Sequence, residues 1–187
     1  MMTEWRQQTR LFDGDSYNYE YSTLFDLIRL SKDKDQALIV ALDHITDIGN
    51  LGAIVRSAEV VGATGLLIPN KRSAVVNEAV FRTSAGAVEY LPVAREANLA
   101  TSLKRLKDEG FWIGAATEQA KQDIWQAPLE GRLVLVLGAE DTGISRLVRE
   151  TCDFEFKLPQ RGLTQSLNVA QAATAIMYEW LRRIMAS

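Results

Sequence analysis

The chain has 187 residues, 47% of them apolar and 24% charged, which is enough to fill one hydrophobic core. The single cysteine, Cys152, and the single histidine, His44, exclude an internal disulfide and a zinc cluster, and they disfavour Ser-His-Asp and Cys-His catalysis. The net charge of −3 predicts that any nucleic acid is bound by a local basic patch. With no signal peptide and no run of ~20 apolar residues, we expect a cytoplasmic protein without metal or membrane partners.

The chain begins with polar, irregular sequence that we interpret as an N-terminal extension of residues 1–36, ahead of a main domain of residues 37–187. A short helical pattern lies within the extension, formed by Leu24, Leu27, Ile28 and Leu30. The continuous apolar run Ala37–Leu42 is typical of a strand that is buried on both faces. The main domain is therefore predicted to begin with a central strand.

Helices and strands alternate through the rest of the chain. The predicted elements are a helix at Leu51–Val61, a strand at Leu66–Ile68, a helix near Val75–Phe81, a strand at Val88–Val93, a helix from its cap Asn98 to Gly110, strands at Phe111–Ala116 and Leu133–Leu137, a helix at Arg146–Thr151, a short strand at Phe154–Phe156 and a long final helix. This order predicts an α/β fold with a mostly parallel sheet and flanking helices.

Open α/β sheets bind ligands beyond the carboxyl ends of their strands, so the loops at that edge are candidate sites. They contain residues 47–52, 117–118 and 138–143, and the segment Ser166–Asn168. Each has a simpler explanation: acidic side chains favour a helix N-terminus, and Ser or Asn caps one. The spacing of Gly49 and Gly52 differs from Gly-x-Gly-x-x-Gly, which counts against a nucleotide-binding oxidoreductase.

Three ordered motifs stand in these loops: DIGNLGAIVRSAE, LVLGAEDTGIS and LPQRGLTQSLNVAQAA. Together they resemble the motifs of the TrmH (SpoU) branch of the SPOUT methyltransferases, over about Ala37–Met185. The chain is most similar to the bacterial enzymes that methylate a guanosine ribose in 23S rRNA, which generally carry an additional N-terminal RNA-binding domain. The resemblance implies an S-adenosylmethionine-dependent 2'-O-ribose methyltransferase, a homodimer, and a C-terminal deep trefoil knot whose loops form the cofactor pocket.

The resemblance also assigns residues to roles. The catalytic set is Arg56, Asn50, Glu140, Ser166 and Asn168. The cofactor-binding set is Ala116, Thr117, Gly138, Glu140, Gly143, Leu158, Ser166 and Leu167. Arg56 is implied either as the general base or as a cation that binds the RNA phosphate and stabilises the developing alkoxide; a guanidinium is normally protonated, which favours the second role.

Cations on this acidic chain are candidate contacts for RNA phosphates, although a solvated surface is the ordinary place of any one of them. The candidates are Arg56, Lys71, Arg72, Arg82, Arg95 and Arg161. The sequence leaves three functions open: a ribose methyltransferase for rRNA, one for tRNA, and a non-catalytic module that binds RNA or the cofactor.

Overall fold

The computed structural model describes residues 11–13 and 16–186, so the first ten residues of the predicted N-terminal extension lie outside the described residues. Two short strands, β1 (Leu11–Asp13) and β2 (Ser16–Asn18), form an antiparallel pair. The other strands are β3 (Ala37–Asp43), β4 (Gly65–Pro69), β5 (Val93–Glu96), β6 (Trp112–Ala116), β7 (Arg132–Gly138) and β8 (Phe154–Phe156). The helices are α1 (Leu24–Ser31), α2 (Ile48–Val60), α3 (Glu78–Thr83), α4 (Leu99–Asp108), α5 (Arg146–Thr151) and α6 (Val169–Ala186).

The six strands from β3 to β8 form one parallel sheet in the order β5-β4-β3-β7-β6-β8. The central pair is β3 and β7, which are in register from Ala37 opposite Arg132 to Asp43 opposite Gly138. All seven residues of β3 are buried, because helices cover both faces of the sheet. The predicted α/β fold with a mostly parallel sheet is confirmed.

Side chains along β3 alternate between two hydrophobic cores. Leu38, Val40 and Leu42 pack with the buried residues of α2, α3 and α6. The alternate residues of β3 pack with those of α1, α4 and α5 on the other face. The period of two along the strand therefore divides the molecule into two helical layers around one sheet.

The predicted strand at Val88–Val93 is wrong over most of its length. Residues Ala87–Glu89 form one turn of 3-10 helix, and the strand begins only at Val93. Gly86 adopts φ +80°, a conformation that glycine tolerates best, and it turns the chain into that helical turn. Val88 is buried in the core, as a strand residue would be, but it belongs to a helical turn.

Two helices begin at other residues than predicted, because a side-chain cap, and not the first apolar residue of the pattern, fixes the start of each helix. Asp47 accepts a hydrogen bond from the Asn50 amide, so α2 begins at Ile48. Asn77 caps α3, which therefore begins later than the predicted helix near Val75–Phe81. The predicted cap Asn98 is confirmed by its hydrogen bond from the Thr101 amide.

The described part of the N-terminal extension packs against the main domain. Leu27 of α1 is completely buried, and Ser22 forms a parallel bridge with Ala94 of the edge strand β5. The boundary at residue 36 stays a prediction. None of the described helices is long and apolar enough to cross a membrane.

Candidate active site

A cavity of about 380 Å³ opens at the carboxyl edge of the sheet. Its walls come from the loop after β7, residues 139–145, and from the segment 157–168 between β8 and α6. All eight residues predicted to bind the cofactor line this cavity: Ala116, Thr117, Gly138, Glu140, Gly143, Leu158, Ser166 and Leu167. The structure therefore brings together residues from three loops that are up to about fifty positions apart in the chain.

The loop after β7 returns tightly on its own strand. The Gly143 amide donates a hydrogen bond to the Ala139 carbonyl at 2.8 Å. A Cβ atom at Gly138 would collide with the backbone of Gly143 and Ile144, so only glycine allows this close approach. Gly138 shapes the cavity wall through its missing side chain.

Asp43 fixes the far end of the same loop, and sequence analysis did not assign it a role. Its side chain is 1% exposed, at the carboxyl end of β3. One carboxylate oxygen, Oδ2, accepts a hydrogen bond from the Ser145 amide at 2.6 Å, and the other lies 2.7 Å from Nδ1 of His44. The pairing connects residues about a hundred positions apart, which no local pattern in the sequence reveals.

Three of the predicted catalytic residues form one polar cluster. The side-chain nitrogen Nδ2 of Asn168 donates hydrogen bonds to Oδ1 of Asn50 and to Oε1 of Glu140, each at 2.9 Å. Glu140 Oε1 also accepts a hydrogen bond from the Val169 amide at 3.0 Å. Because Glu140 lines the cavity, we call Asn50, Glu140 and Asn168 the amide–carboxylate cluster and place it beside the cavity.

Ser166 and Asn168 have different tasks at the start of α6. Asn168 caps the helix, since its Oδ1 accepts hydrogen bonds from the amides of Ala170 and Gln171. Ser166 is exposed, lines the cavity and makes no hydrogen bond with any described residue. Its hydroxyl is therefore available to a ligand.

Arg56 lies on α2 with its side chain exposed, and it does not line the cavity. It makes no hydrogen bond or ion pair with residues of the described chain. The next residue, Ser57, hydrogen-bonds Thr174 of α6 at 2.7 Å between the two hydroxyl oxygens. Helix α2 thus packs against α6 at the residue after Arg56, but Arg56 does not join the polar cluster of its own chain.

The other candidate RNA contacts fall into two groups. Arg82 pairs with Glu78, and Arg95 donates to the Asn70 carbonyl, so both are partly engaged within the chain. Lys71, Arg72 and Arg161 are exposed, and none makes an ion pair within the described chain.

Additional polar residues line the cavity beyond the predicted set. Glu118 and Gln160 meet across the opening, with 3.4 Å between Gln160 Nε2 and Glu118 Oε1. Lys157 also lines the cavity, and it pairs with Asp123 in an isolated parallel bridge. The position of Glu118 directly after β6 could have identified it from the sequence as a site residue. The pairing of Lys157 with Asp123 joins residues far apart in the chain, and no local pattern indicates it.

An ion pair between α5 and β8 supports one residue of the cavity wall. Arg149 of α5 contacts Glu155 of β8 and donates a hydrogen bond to Oε1 of Gln119, a cavity residue, at 2.6 Å. Hydrogen bonding from Arg149 holds the pKa of the Glu155 carboxyl below its usual value. Around the cavity itself, the described residues contain no cluster of three side chains able to hold a metal ion.

The sequence of the main domain matches a known family over residues 37–178, described as the SpoU rRNA Methylase family. The chain belongs to this family. The predicted membership of the TrmH (SpoU) branch of the SPOUT methyltransferases is confirmed. A curated relative, the "Putative TrmH family tRNA/rRNA methyltransferase YacO" of Bacillus subtilis (strain 168), is 41% identical over 166 residues, which are 88% of this chain and 67% of the relative.

Solved structures of methyltransferases share the fold. The SpoU methyltransferase AviRb from Streptomyces viridochromogenes superposes with a TM-score of 0.81 at 28% identity, covering 91% of this chain and 66% of that one. A structure described as an RNA 2'-O ribose methyltransferase superposes with a TM-score of 0.74 at 28% identity, covering 90% of this chain and 60% of that one. This chain thus spans about two thirds or less of their length.

AviRb has also been solved in complex with the cofactor AdoMet, S-adenosylmethionine; that structure has a TM-score of 0.80 at 27% identity and covers 91% of this chain and 68% of its own. The prediction of S-adenosylmethionine as the cofactor of this family is confirmed by that complex.

Proposed function

We propose that this protein transfers a methyl group from S-adenosylmethionine to a ribose 2'-hydroxyl of RNA. The observation that carries the proposal is the amide–carboxylate cluster beside the cavity, in a chain of the SpoU family. In it, a carboxylate and two carboxamides from three separate elements are fixed by mutual hydrogen bonds. Such preorganised polar groups can hold a reacting hydroxyl in line with a methyl donor.

The cavity fits the cofactor in size and chemistry. A volume of about 380 Å³ is in the range of small-molecule sites. Leu137, Leu158 and Ile176 provide apolar wall for a purine, while Glu118 and Glu140 provide negative charge that suits a cationic sulfonium. When bound, S-adenosylmethionine supplies a methyl group that is already activated for displacement by an oxygen nucleophile.

The residues of the chain then have to align the acceptor and assist the loss of its proton. Asn168 holds the Asn50 side chain in place, Asn50 orients polar groups of the ribose, and the free hydroxyl of Ser166 contacts a ligand in the cavity. Arg56 is the cation for the neighbouring phosphate and for negative charge that develops on the ribose oxygen, because a guanidinium stays protonated.

We propose that Arg56 acts on the cavity of a partner subunit in a homodimer. Exposed apolar side chains stand along one face of α6 at Ala175, Tyr178 and Met185, beside the exposed Arg182, and Val60 of α2 is 58% exposed one turn beyond Arg56. Covering this apolar surface with a second copy would place Arg56 at an interface. Light scattering after size-exclusion chromatography should give twice the 20.8 kDa chain mass; a monomer at micromolar concentration would contradict the dimer.

We also propose the deep trefoil knot that the family resemblance implies. The chain leaves β8 at one edge of the sheet and crosses the carboxyl ends before α6 packs against α2. On this path the segment 157–168 lies against the loop 139–145, and the two loops share the cavity. An experimental structure in which the C-terminal segment does not pass through a loop of the backbone would contradict the knot.

For the substrate, we propose a guanosine of 23S rRNA, with tRNA as the second candidate. The family description names rRNA, and the name of the Bacillus subtilis relative includes both tRNA and rRNA. The chain spans 67% of that relative, so substrate choice by this chain needs its own test. The predicted cytoplasmic location agrees with an RNA substrate and stays a prediction.

The decisive experiment uses purified protein, methyl-labelled S-adenosylmethionine and total RNA from cells that lack the gene. After digestion to nucleosides, we expect the label in 2'-O-methylguanosine, and fractionation should assign it to 23S rRNA. Label in tRNA would select the second candidate. Label in a base, or no label in any RNA, would overturn the proposal of ribose methylation.

Substitution of Arg56 separates catalysis from cofactor binding. Arg56→Ala should lower kcat by at least about 100-fold and leave the calorimetric affinity for S-adenosylmethionine nearly unchanged. Arg105→Ala, which removes an exposed arginine of α4 on the other face of the sheet, is the matched control and should retain most activity. Turnover by Arg56→Ala near that of the wild type would remove Arg56 from the mechanism.

A further inference from the structure

The loop that follows β4, residues 70–76, is fixed to three other parts of the chain. At its start, the Asn70 amide donates to the Glu96 carbonyl at 2.9 Å. In its middle, the Ala74 amide donates to the Ile45 carbonyl at 2.8 Å. At its end, the Val76 amide donates to the hydroxyl of Tyr21 at 2.8 Å. This exposed loop therefore has a defined backbone path.

Tyr21 and Arg95 act together as a brace for the two ends of the loop. The Arg95 guanidinium lies over the Tyr21 ring, 5.1 Å from its centre, and donates to the Asn70 carbonyl at 3.0 Å. Tyr21 holds the other end through Val76. A cation–π pair between the N-terminal segment and β5 thus connects both ends of one loop.

Between these anchors the loop presents two cations to solvent. Lys71 and Arg72 are both exposed, and neither makes an ion pair or side-chain hydrogen bond within the described chain. Arg72 has φ +52°, a left-handed conformation that costs a non-glycine residue on the order of 1 kcal/mol. The nearby carboxylate of Glu96 is engaged elsewhere, since it accepts a hydrogen bond from the Leu24 amide at 2.8 Å.

The loop lies on the same edge of the sheet as the cavity. It follows the carboxyl end of β4, next to β3, and Ile45 belongs to the connection that leads into α2, on which Asn50 and Arg56 stand. Two unpaired cations at a fixed separation on this edge suit a polyanionic strand that extends away from the active site.

We propose that the loop 70–76 is a preformed phosphate-binding platform for the RNA substrate, in which Lys71 and Arg72 contact the backbone and Tyr21 is a positioning residue. This inference rests on the proposed function for its choice of RNA as the ligand. Bracing before binding reduces the ordering cost that a flexible loop would add when RNA binds. The contacts are to phosphates, so they contribute affinity and register rather than base specificity.

Filter binding of an unmodified 23S rRNA transcript, between about 50 and 200 mM salt, tests the two cations. The variant is Lys71→Gln with Arg72→Asn, because asparagine tolerates the left-handed conformation. We expect about tenfold weaker binding and a salt slope reduced by about 1.5, the value for two phosphate contacts. The matched control, Lys32→Gln with Lys104→Gln, removes the same charge from the α1 and α4 layer and should change the slope by less than half as much.

A double-mutant cycle tests the positioning role of Tyr21. Tyr21→Phe keeps the ring under Arg95 and removes only the hydroxyl that accepts from Val76. We expect about threefold weaker RNA binding in the wild-type background and almost none of that loss in the Lys71→Gln, Arg72→Asn background. A loss of the same size in both backgrounds would mean that Tyr21 acts through general stability, and the platform would be overturned.

These binding measurements separate the platform from the proposed reaction. If no methyl transfer is detected but RNA binding shows the expected slope change, the proposed activity fails and the platform stands. If methyl transfer proceeds and the two double variants bind alike, the activity stands and the platform is wrong. The KM for S-adenosylmethionine should be unchanged in every variant of this set, and an increase with loss of RNA binding would place the loop at the cofactor cavity instead.

Discussion

The two ends of α6 use the same chemistry for different purposes. At its N-terminal end, the carboxylate of Glu140 accepts hydrogen bonds from the Asn168 side chain and the Val169 amide. Near its C-terminal end, the carboxylate of Glu179, 8% exposed, accepts hydrogen bonds from Arg182 and Arg183. The first carboxylate lines the cavity, and the second lies in the packed part of the helix.

The surroundings of the two carboxylates explain the difference. Arg183 is 11% exposed and also donates to the carbonyls of Ile124 and Ala127, so it joins α6 to the connection between β6 and β7. The Glu179 carboxylate and the Arg183 guanidinium are paired within the chain and stabilise it. At the other end, Glu140 and Asn168 are held together in an exposed, preorganised arrangement. The comparison predicts that changes at one end affect stability and changes at the other affect turnover.

The largest effect is expected at the C-terminal end. Arg183→Met should lower the free energy of unfolding by about 3 to 5 kcal/mol, because it leaves the buried carboxylate of Glu179 with one partner fewer and removes a charged donor from the carbonyls of Ile124 and Ala127. Denaturant unfolding measures this change, and methyl transfer by the folded fraction should be nearly normal. Arg182→Ala, which removes a 65% exposed partner of the same carboxylate, should cost less than about 1 kcal/mol. Equal losses of unfolding free energy in the two variants would contradict the expectation that the buried Arg183 stabilises the chain more than the exposed Arg182.

The next effect is on turnover at the N-terminal end. Asn168→Ser retains an oxygen that can cap α6 but loses the amide that donates to Asn50 and Glu140. We expect kcat to fall by about 100-fold while the free energy of unfolding changes by less than about 1 kcal/mol. Asn168→Ala serves as the control that loses cap and donor together. If the Asn168→Ser variant had the kcat of the wild type, capping of α6 would be the only role of Asn168.

Acid should weaken the C-terminal end selectively. Hydrogen bonds from Arg182, followed by those from Arg183, lower the pKa of Glu179 from 4.5 to about 2. A carboxyl with a lowered pKa contributes stability above its unfolded pKa and loses it as the pH falls through the folded value. The difference in unfolding free energy between the wild type and Glu179→Gln should therefore shrink between about pH 4.5 and 2. A difference that stays constant across this range would contradict the lowered pKa.

The smallest effect is expected midway along the helix. Ser57→Ala removes the hydroxyl contact with Thr174 that connects α2 to α6, and should cost about 1 kcal/mol or less in thermal or denaturant unfolding. Thr174→Val should cost a similar amount, and the double variant should cost little more than either single change. Fully additive losses would show that the two hydroxyls do not act as a pair.

Local sequence patterns predicted the layers of the fold well. The runs Ala37–Leu42 and Leu133–Leu137 are central strands, and Arg146–Thr151 is a helix with the predicted bounds. Their apolar periodicity is set by burial on one or both faces, which the sequence records directly. The turn at Ala87–Glu89 was missed because apolar residues in a 3-10 turn and in a strand are equally buried.

The candidate site could be predicted only through its motifs. Resemblance named Asn50, Glu140 and Asn168 as neighbours, and the structure brings them within hydrogen-bond distance. The roles of Asp43 and Arg183 depend on partners far away in the chain, and no spacing rule specifies such partners. Roles in the reaction, including that of Arg56, stay predictions.

The central claim is that the cavity beside the amide–carboxylate cluster holds the methyl donor with its reactive end toward that cluster. A crystal structure with S-adenosylhomocysteine, the demethylated product, tests it most directly. We expect electron density between Gly138 and Leu167, with the sulfur atom directed toward Asn168 and Glu140. A ligand bound elsewhere, or one whose sulfur faces away from the cluster, would contradict the account.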